Sequence, residues 1–431
     1  MSPMLLLAAV LMTSTAMAGE PPVDDGSAAL WERLDRIEAA LDRIESARVE
    51  NRRIDYLRAT EIRMVVENLL ADAGTRAARL DDAVASKWDT GFVVRSADGN
   101  FLIRANLNLQ LRFTANHRSG APDDTRWGFK IRRARINASG HVVDPTWTYK
   151  VSVELTTREL RDAYVAKDLG SGYEFKAGRF KLPFLREFLV SSTRQQAANR
   201  SIIASADNAG RSEAVQVSYQ AERWRLAAAL SNGINATGVP ALAPNTRIAA
   251  TGRVEFATVG DWSRFEAFTS PPGSDPAVLL GGAVHFQRSD AGSPLTHDKQ
   301  LLWTADITVQ LSGVNLFVYV VGNHLDNRGA APGSDQIAVV VQGGIYVADN
   351  WEVFARYEWA DPDIPGESEL SVITAGVTRF IHGRNLKWIT DVGVGLNPVA
   401  PTFASGSADW RADAPGRDGQ VVVRSQLQLV F

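Results

Sequence analysis

The residues best placed to do chemistry are basic side chains standing at every second position of apolar stretches. Arg104 and Arg112 alternate with Ile103, Leu109, Leu111 and Phe113, while Arg133 and Arg135 bracket Ala134, and Lys150 lies between Tyr149 and Val151. Arg225, Arg247, Arg253, Arg356 and Arg424 continue the pattern. A period of two puts them on one face of a strand. By the same counting the acids on that face are Glu154, Glu255, Asp306, Glu352 and Glu358, whereas Lys130 and Arg132 fall on the other face. A wall of this kind favours anions at close quarters, and low-dielectric surroundings focus its field. The plainer alternative is that the arginines pair with wall carboxylates and fill space.

Enzymatic chemistry finds little support. The six histidines (His117, His141, His285, His297, His324, His382) are scattered, with no H-E-x-x-H spacing. No G-x-S-x-G elbow occurs, and Gly393-Val394-Gly395 has Pro398 where a dinucleotide fingerprint needs its third glycine. The absence of cysteine removes disulfides, thiolate metal sites and thiol nucleophiles. No catalytic residue, metal or cofactor is expected. A net charge of −3 gives no basic surface for nucleic acid.

The elements that must carry the basic face are strands. Trp147, Tyr149, Val151, Val153 and Leu155 alternate with Thr148, Lys150, Ser152 and Glu154, and similar stretches run from about residue 92 to the C-terminus. Their length, about 9–12 residues, suits a tilted strand crossing a bilayer. Trp147, Trp224, Trp303, Trp351 and Trp359 stand at strand ends on the apolar face, as in interfacial girdles. Tight and long connections alternate. The expected fold is an all-β transmembrane barrel of about 16 antiparallel strands, residues 91–431. The last strand, with Val421, Val423, Leu427, Leu429 and Phe431 on one face, would leave an unprotected edge in a soluble domain but closes a barrel.

Ahead of the barrel, residues 1–18 read as a signal peptide: an apolar run, then Ala16-Met17-Ala18 before the expected cleavage. Residues 19–90 read as a helical coiled coil and linker. Leu30, Leu34, Ile37, Leu41 and Ile44 follow a heptad seam, and Leu-Asp-Arg-Ile-Glu occurs at 34–38 and again at 41–45.

Gly178-Arg179-Phe180-Lys181-Leu182-Pro183-Phe184, followed by Glu187, Ser191-Ser192, Arg200-Ser201 and Arg211, resembles the phosphate-selective porin O and P family. So do Phe129-Lys130-Ile131-Arg132-Arg133-Ala134-Arg135-Ile136 with Gly140, and the closing Arg424-Ser425-Gln426-Leu427-Gln428-Leu429-Val430-Phe431. The resemblance spans roughly residues 92–431. It implies a trimeric 16-stranded outer-membrane barrel whose third loop, residues 181–211, folds inward as a constriction. It also implies that assembly machinery recognises the strand ending in Phe431. Arg179, Lys181, Arg186, Arg194, Arg200 and Arg211, against Glu187 and Asp207, become constriction candidates. Two function classes stay open. One is a passive outer-membrane channel for small hydrophilic solutes, anion-preferring, with phosphate selectivity as the narrower option. The other is a structural protein that spaces or tethers the membrane through a periplasmic coil.

Overall fold

The computed structural model describes residues 91–119, 124–238, 246–289, 299–326, 333–406, 408–414 and 419–431, together with helical Arg63, Met64 and Val66. The expected signal peptide, and the coiled coil apart from those three residues, lie outside the described residues.

The alternating stretches form β1 (Phe92–Arg95), β2 (Leu102–Arg118), β3 (Asp124–His141), β4 (Trp147–Glu154), β5 (Glu159–Gly170) and β6 (Tyr173–Lys181). After a long connection come β7 (Arg211–Gln220), β8 (Trp224–Ser231), β9 (Thr246–Val259), β10 (Ala277–Ser289), β11 (Lys299–Leu311) and β12 (Val314–Asp326). The series ends with β13 (Ser334–Ala348), β14 (Trp351–Asp361), β15 (Leu370–His382), β16 (Leu386–Gly395) and β17 (Gln420–Val430). From β2 onward each strand pairs antiparallel with the next, and β17 returns to β2 with Gln420 opposite Arg118 and Val430 opposite Asn108. This closes a 16-stranded barrel and leaves no open edge. β1 pairs only with the start of β2, Phe92 opposite Ala105.

One end of the barrel has tight turns. Gly313 and Asn350 supply the positive φ these need, at 75° and 62°. Long connections crowd the other end. Alternation sorts the side chains: in β14, Glu352, Phe354, Arg356 and Glu358 are buried inside while Trp351, Val353 and Tyr357 are exposed outside. Trp147, Trp224 and Trp303 also face outward, on an apolar belt suited to lipid.

In β3 the simple period fails. Gln110 pairs with Arg133 but Leu111 with Ile131, so Arg132 is an extra, bulged residue. The bulge inverts the parity of the strand. Trp127, Phe129 and Ile131 are turned out, while Lys130, opposite Arg112, is turned in. The expectation that Lys130 and Arg132 lie on the outer face is therefore corrected: both line the interior.

The barrel is not hollow throughout. Phe317, Tyr319, Val321, Val340 and Val372 of β12, β13 and β15 form a buried apolar cluster inside the wall. Phe184, Leu185, Ile202 and Ile203 of the β6–β7 connection pack into it. Each such side chain contributes roughly 1.5–3 kcal/mol on burial.

Candidate functional site

Residues 182–210 fold inward as the third connection on the loop side. They contain two single-turn helices, α1 (Arg186–Leu189) and α2 (Ile203–Ala206). Polar staples fix this loop to the β11–β17 side. Gln196 Nε2 donates to Glu352 Oε1 at 2.7 Å, Ala198 N to Asp391 Oδ2 at 2.9 Å, and Ile202 N to Glu358 Oε2 at 2.6 Å. Gly344 makes room: a Cβ there would lie 2.0 Å from Gln196 Nε2. Arg356 donates to the Asn199 carbonyl at 3.0 Å and Arg112 to that of Ala198 at 2.7 Å.

The loop therefore leaves its free space against β2–β9. Three overlapping cavities run along it. A turn-side one of about 720 Å³ and a middle one of about 920 Å³ share Lys181 and Arg194. A loop-side one of about 520 Å³ shares Arg133, Arg135 and Arg200 with the middle one. Arg104, Arg133, Arg135, Lys150 and Arg161 line the barrel face of the middle cavity, and Lys176, Lys181, Arg194, Arg200 and Arg211 its other sides. Those ten basic residues face one acid, Asp162. The turn-side cavity is mixed, with six basic residues and four acids.

Some of these cations are spent on local pairs. Arg211 bonds Asp162 at 2.9 Å, and Arg135 bonds Glu154 at 3.0 Å with Arg133 within 3.5 Å of the same carboxylate. Others bond carbonyls instead. Lys181 donates to the carbonyls of Phe188 and Leu189, and Arg200 to those of Glu187, Phe188 and Val190, at the carbonyl end of α1. Burial lowers Arg200 to about 9, which leaves it a cation at neutral pH. Arg132 has its Nε buried without a hydrogen-bond partner.

The remaining candidates divide by place. Arg186, Arg225 and Arg253 border the turn-side cavity. Arg186 also ties α1 to Glu255 at 3.2 Å and to Thr308 at 3.1 Å, and Arg253 holds Asp306 at 2.8 Å. Four constriction or lumen assignments need correction. Arg179 stands opposite Ala163, on the outward face with Val165 and Phe175, paired with Glu213. Glu187 is buried behind the loop, accepting from Ser201 N at 2.7 Å and Tyr319 OH at 3.0 Å. Arg112 and Arg356 are likewise buried under loops, each bonding a carbonyl of the constriction loop.

Sequence reasoning missed two inward segments. The segment around Trp410 brings it and Asp409 into the barrel, where Asp409 meets Arg112 at 2.9 Å and also pairs with Lys130. Residues 260–276 fold in from the turn side and bury Phe265 and Phe268. Loops carry no period, so only the aromatic residues within them hinted at burial.

A closed 16-stranded barrel with an inward third loop and a polar passage beside it defines a porin. Residues 103–258, which contain the basic wall and the constriction loop, match the model of the phosphate-selective porin O and P family. By that match residues 103–258 are similar to that family. Among solved structures, it matches OmpT of Vibrio cholerae (13% identity, TM-score 0.52, 79% of this chain and 100% of that one). It also matches an anion-selective porin from Comamonas acidovorans (12%, 0.52, 76% and 99%). OmpF of Salmonella typhi, solved with daunomycin, matches at 12% identity and TM-score 0.51, over 78% and 99%. At these identities the likeness is one of fold. No curated protein matches by sequence.

Proposed function

We propose that the protein is a passive outer-membrane channel that prefers small anions, phosphate among them. The observation that carries this reading is the middle cavity, ten basic residues against one acid. A basic rim at close quarters lowers the barrier for anions and raises it for cations. Short turns mark the periplasmic end of such barrels, so the termini of the barrel face the periplasm. In this reading residues 1–18 direct export and residues 19–90 form a periplasmic coil that brings three copies together as a homotrimer. Outer-membrane lipid surrounds the apolar belt, and the β17 strand ending in Phe431 serves assembly-machinery recognition. The overlapping polar cavities beside the constriction loop favour a channel over a purely structural tether.

The test is the reversal potential of purified protein in a planar bilayer under a potassium chloride gradient, with phosphate then added. The expected result is an anion-signed potential and a chloride current reduced by phosphate. A near-zero or cation-signed potential overturns the anion preference.

A further inference from the structure

Unlike the tight turns between β11 and β12 or β13 and β14, residues 260–276 enter the barrel from its turn-side mouth. Their short 3-10 helix, Trp262–Glu266, is followed by Phe268, whose ring packs 4.5 Å from that of Phe317. Gln310 Nε2 donates to the Ala267 carbonyl at 2.7 Å, bracing the segment on β11. Phe268 N donates to the Arg194 carbonyl at 3.3 Å, which joins it to the constriction loop. So fixed, the segment turns Trp262 and Glu266 toward the turn-side cavity.

Arg194 lines both the turn-side and the middle cavity, and its guanidinium pairs with Glu266. The pair stays open to solvent, with 38% and 54% of the side chains exposed. Arg264 and Arg384 lie in its field, as does Arg225, which stacks 4.3 Å over Trp262. Where the turn-side cavity overlaps the basic middle one at Arg194, an anion therefore meets a carboxylate. We infer that residues 260–276 form a second, turn-side constriction, and that Glu266, by engaging Arg194, sets the charge selectivity of that exit. This rests on the channel reading and adds an opposing charge at one end, so the two mouths differ.

The experiment uses full-length protein in planar bilayers. Glu266→Gln is expected to move the reversal potential toward the anion, by about two- to fivefold in the permeability ratio for one charge at contact range in water. Arg194→Gln is expected to move it the other way. Because the chain has no cysteine, Glu266→Cys can be modified after insertion, so folding is already secured. A cationic methanethiosulfonate is expected to raise anion preference, an anionic one to restore wild-type behaviour, both faster from the turn side. Unchanged potentials for Glu266→Gln, together with no response to either reagent, overturn the inference. The sign of the wild-type potential tests the anion preference separately: a cation-signed wild type that still shifts on Glu266→Gln sinks that preference and keeps the second constriction. No current from wild type sinks both.

Discussion

Lys181 and Arg200 enter from opposite limbs of the constriction loop and meet at one atom: the Phe188 carbonyl accepts from Lys181 Nζ at 2.7 Å and from Arg200 Nη2 at 3.3 Å. Both cations also face the Phe188 ring, at 5.3 and 5.2 Å. The free carbonyls ending α1 thus hold two basic groups close together, and the same contacts that shape the loop set the basic lining of the passage.

Replacing Arg200 by Gln is expected to reduce the anion-to-cation permeability ratio about two- to fivefold, since one charge at about 5 Å in water is worth about 0.8 kcal/mol. The effect should shrink in molar salt, where the screening length falls to about 3 Å. Reversal potentials at two ionic strengths check both parts. A ratio unaffected by the substitution would place the permeating ions elsewhere.

Asp207, at the end of α2, is buried with Asn323 as its hydrogen-bond partner, and burial pushes its carboxyl up to about 6. Its ordinary value is 3.8, so folding takes up a proton between these values. The folded state is unpenalised below pH 4, loses stability as pH rises through 6, and then levels off. Asp207→Asn should therefore match wild type near pH 3.5 and exceed it at pH 8 by roughly 2–3 kcal/mol. Urea midpoints at both pH values decide this; equal gains at both would assign the effect to something other than titration.

Asp409 joins the inward segment around Trp410 to the wall through Arg112 and Lys130. Burial alone would raise its carboxyl, yet Arg112 and then Lys130 hold it below its ordinary value. Asp409→Ala leaves the Arg112 guanidinium buried without its ion partner, a loss of about 3–5 kcal/mol. Heat-modifiability on gels should show a lower unfolding temperature, and single-channel traces should become noisier as the segment loosens. An unchanged unfolding temperature would mean that Gln426 and the Ala198 carbonyl, both bonded to Arg112, suffice.

How legible this was depends on the element. In β14 the alternation of Trp351 through Trp359 put each inner residue where the structure has it, because a straight strand has one period. In β3 the same rule turned Lys130 the wrong way, because nothing in Ile131-Arg132-Arg133 announces a bulge. The constriction loop was visible through family resemblance alone, and the inward segments 260–276 and around Trp410 had no signal beyond the aromatic residues within them. Alternation also could not tell Arg133, beside open space, from Arg356, sealed under the loop: both are inner-face arginines, and what separates them is a loop far away in sequence.

That last distinction makes a prediction. Glu154 draws on Arg135 at 3.0 Å and Arg133 at 3.5 Å, and all three border the loop-side cavity. Glu154→Gln removes the carboxylate charge and releases both guanidinium groups to the passage. Anion preference should rise about two- to fivefold, and phosphate should reduce chloride current at lower concentration. Arg356 instead sits against Glu358 at 2.8 Å and the carbonyls of Asn199 and Arg200, 2% exposed. Arg356→Met leaves buried carboxylates uncompensated and should act mainly on stability, by about 3–5 kcal/mol. Measured together, reversal potential and unfolding temperature should move in different variants: the potential most for Glu154→Gln, the temperature most for Arg356→Met. If Arg356→Met shifts the potential as far as Glu154→Gln does, ions also pass behind the constriction loop, and the passage along β2–β9 is not the sole route.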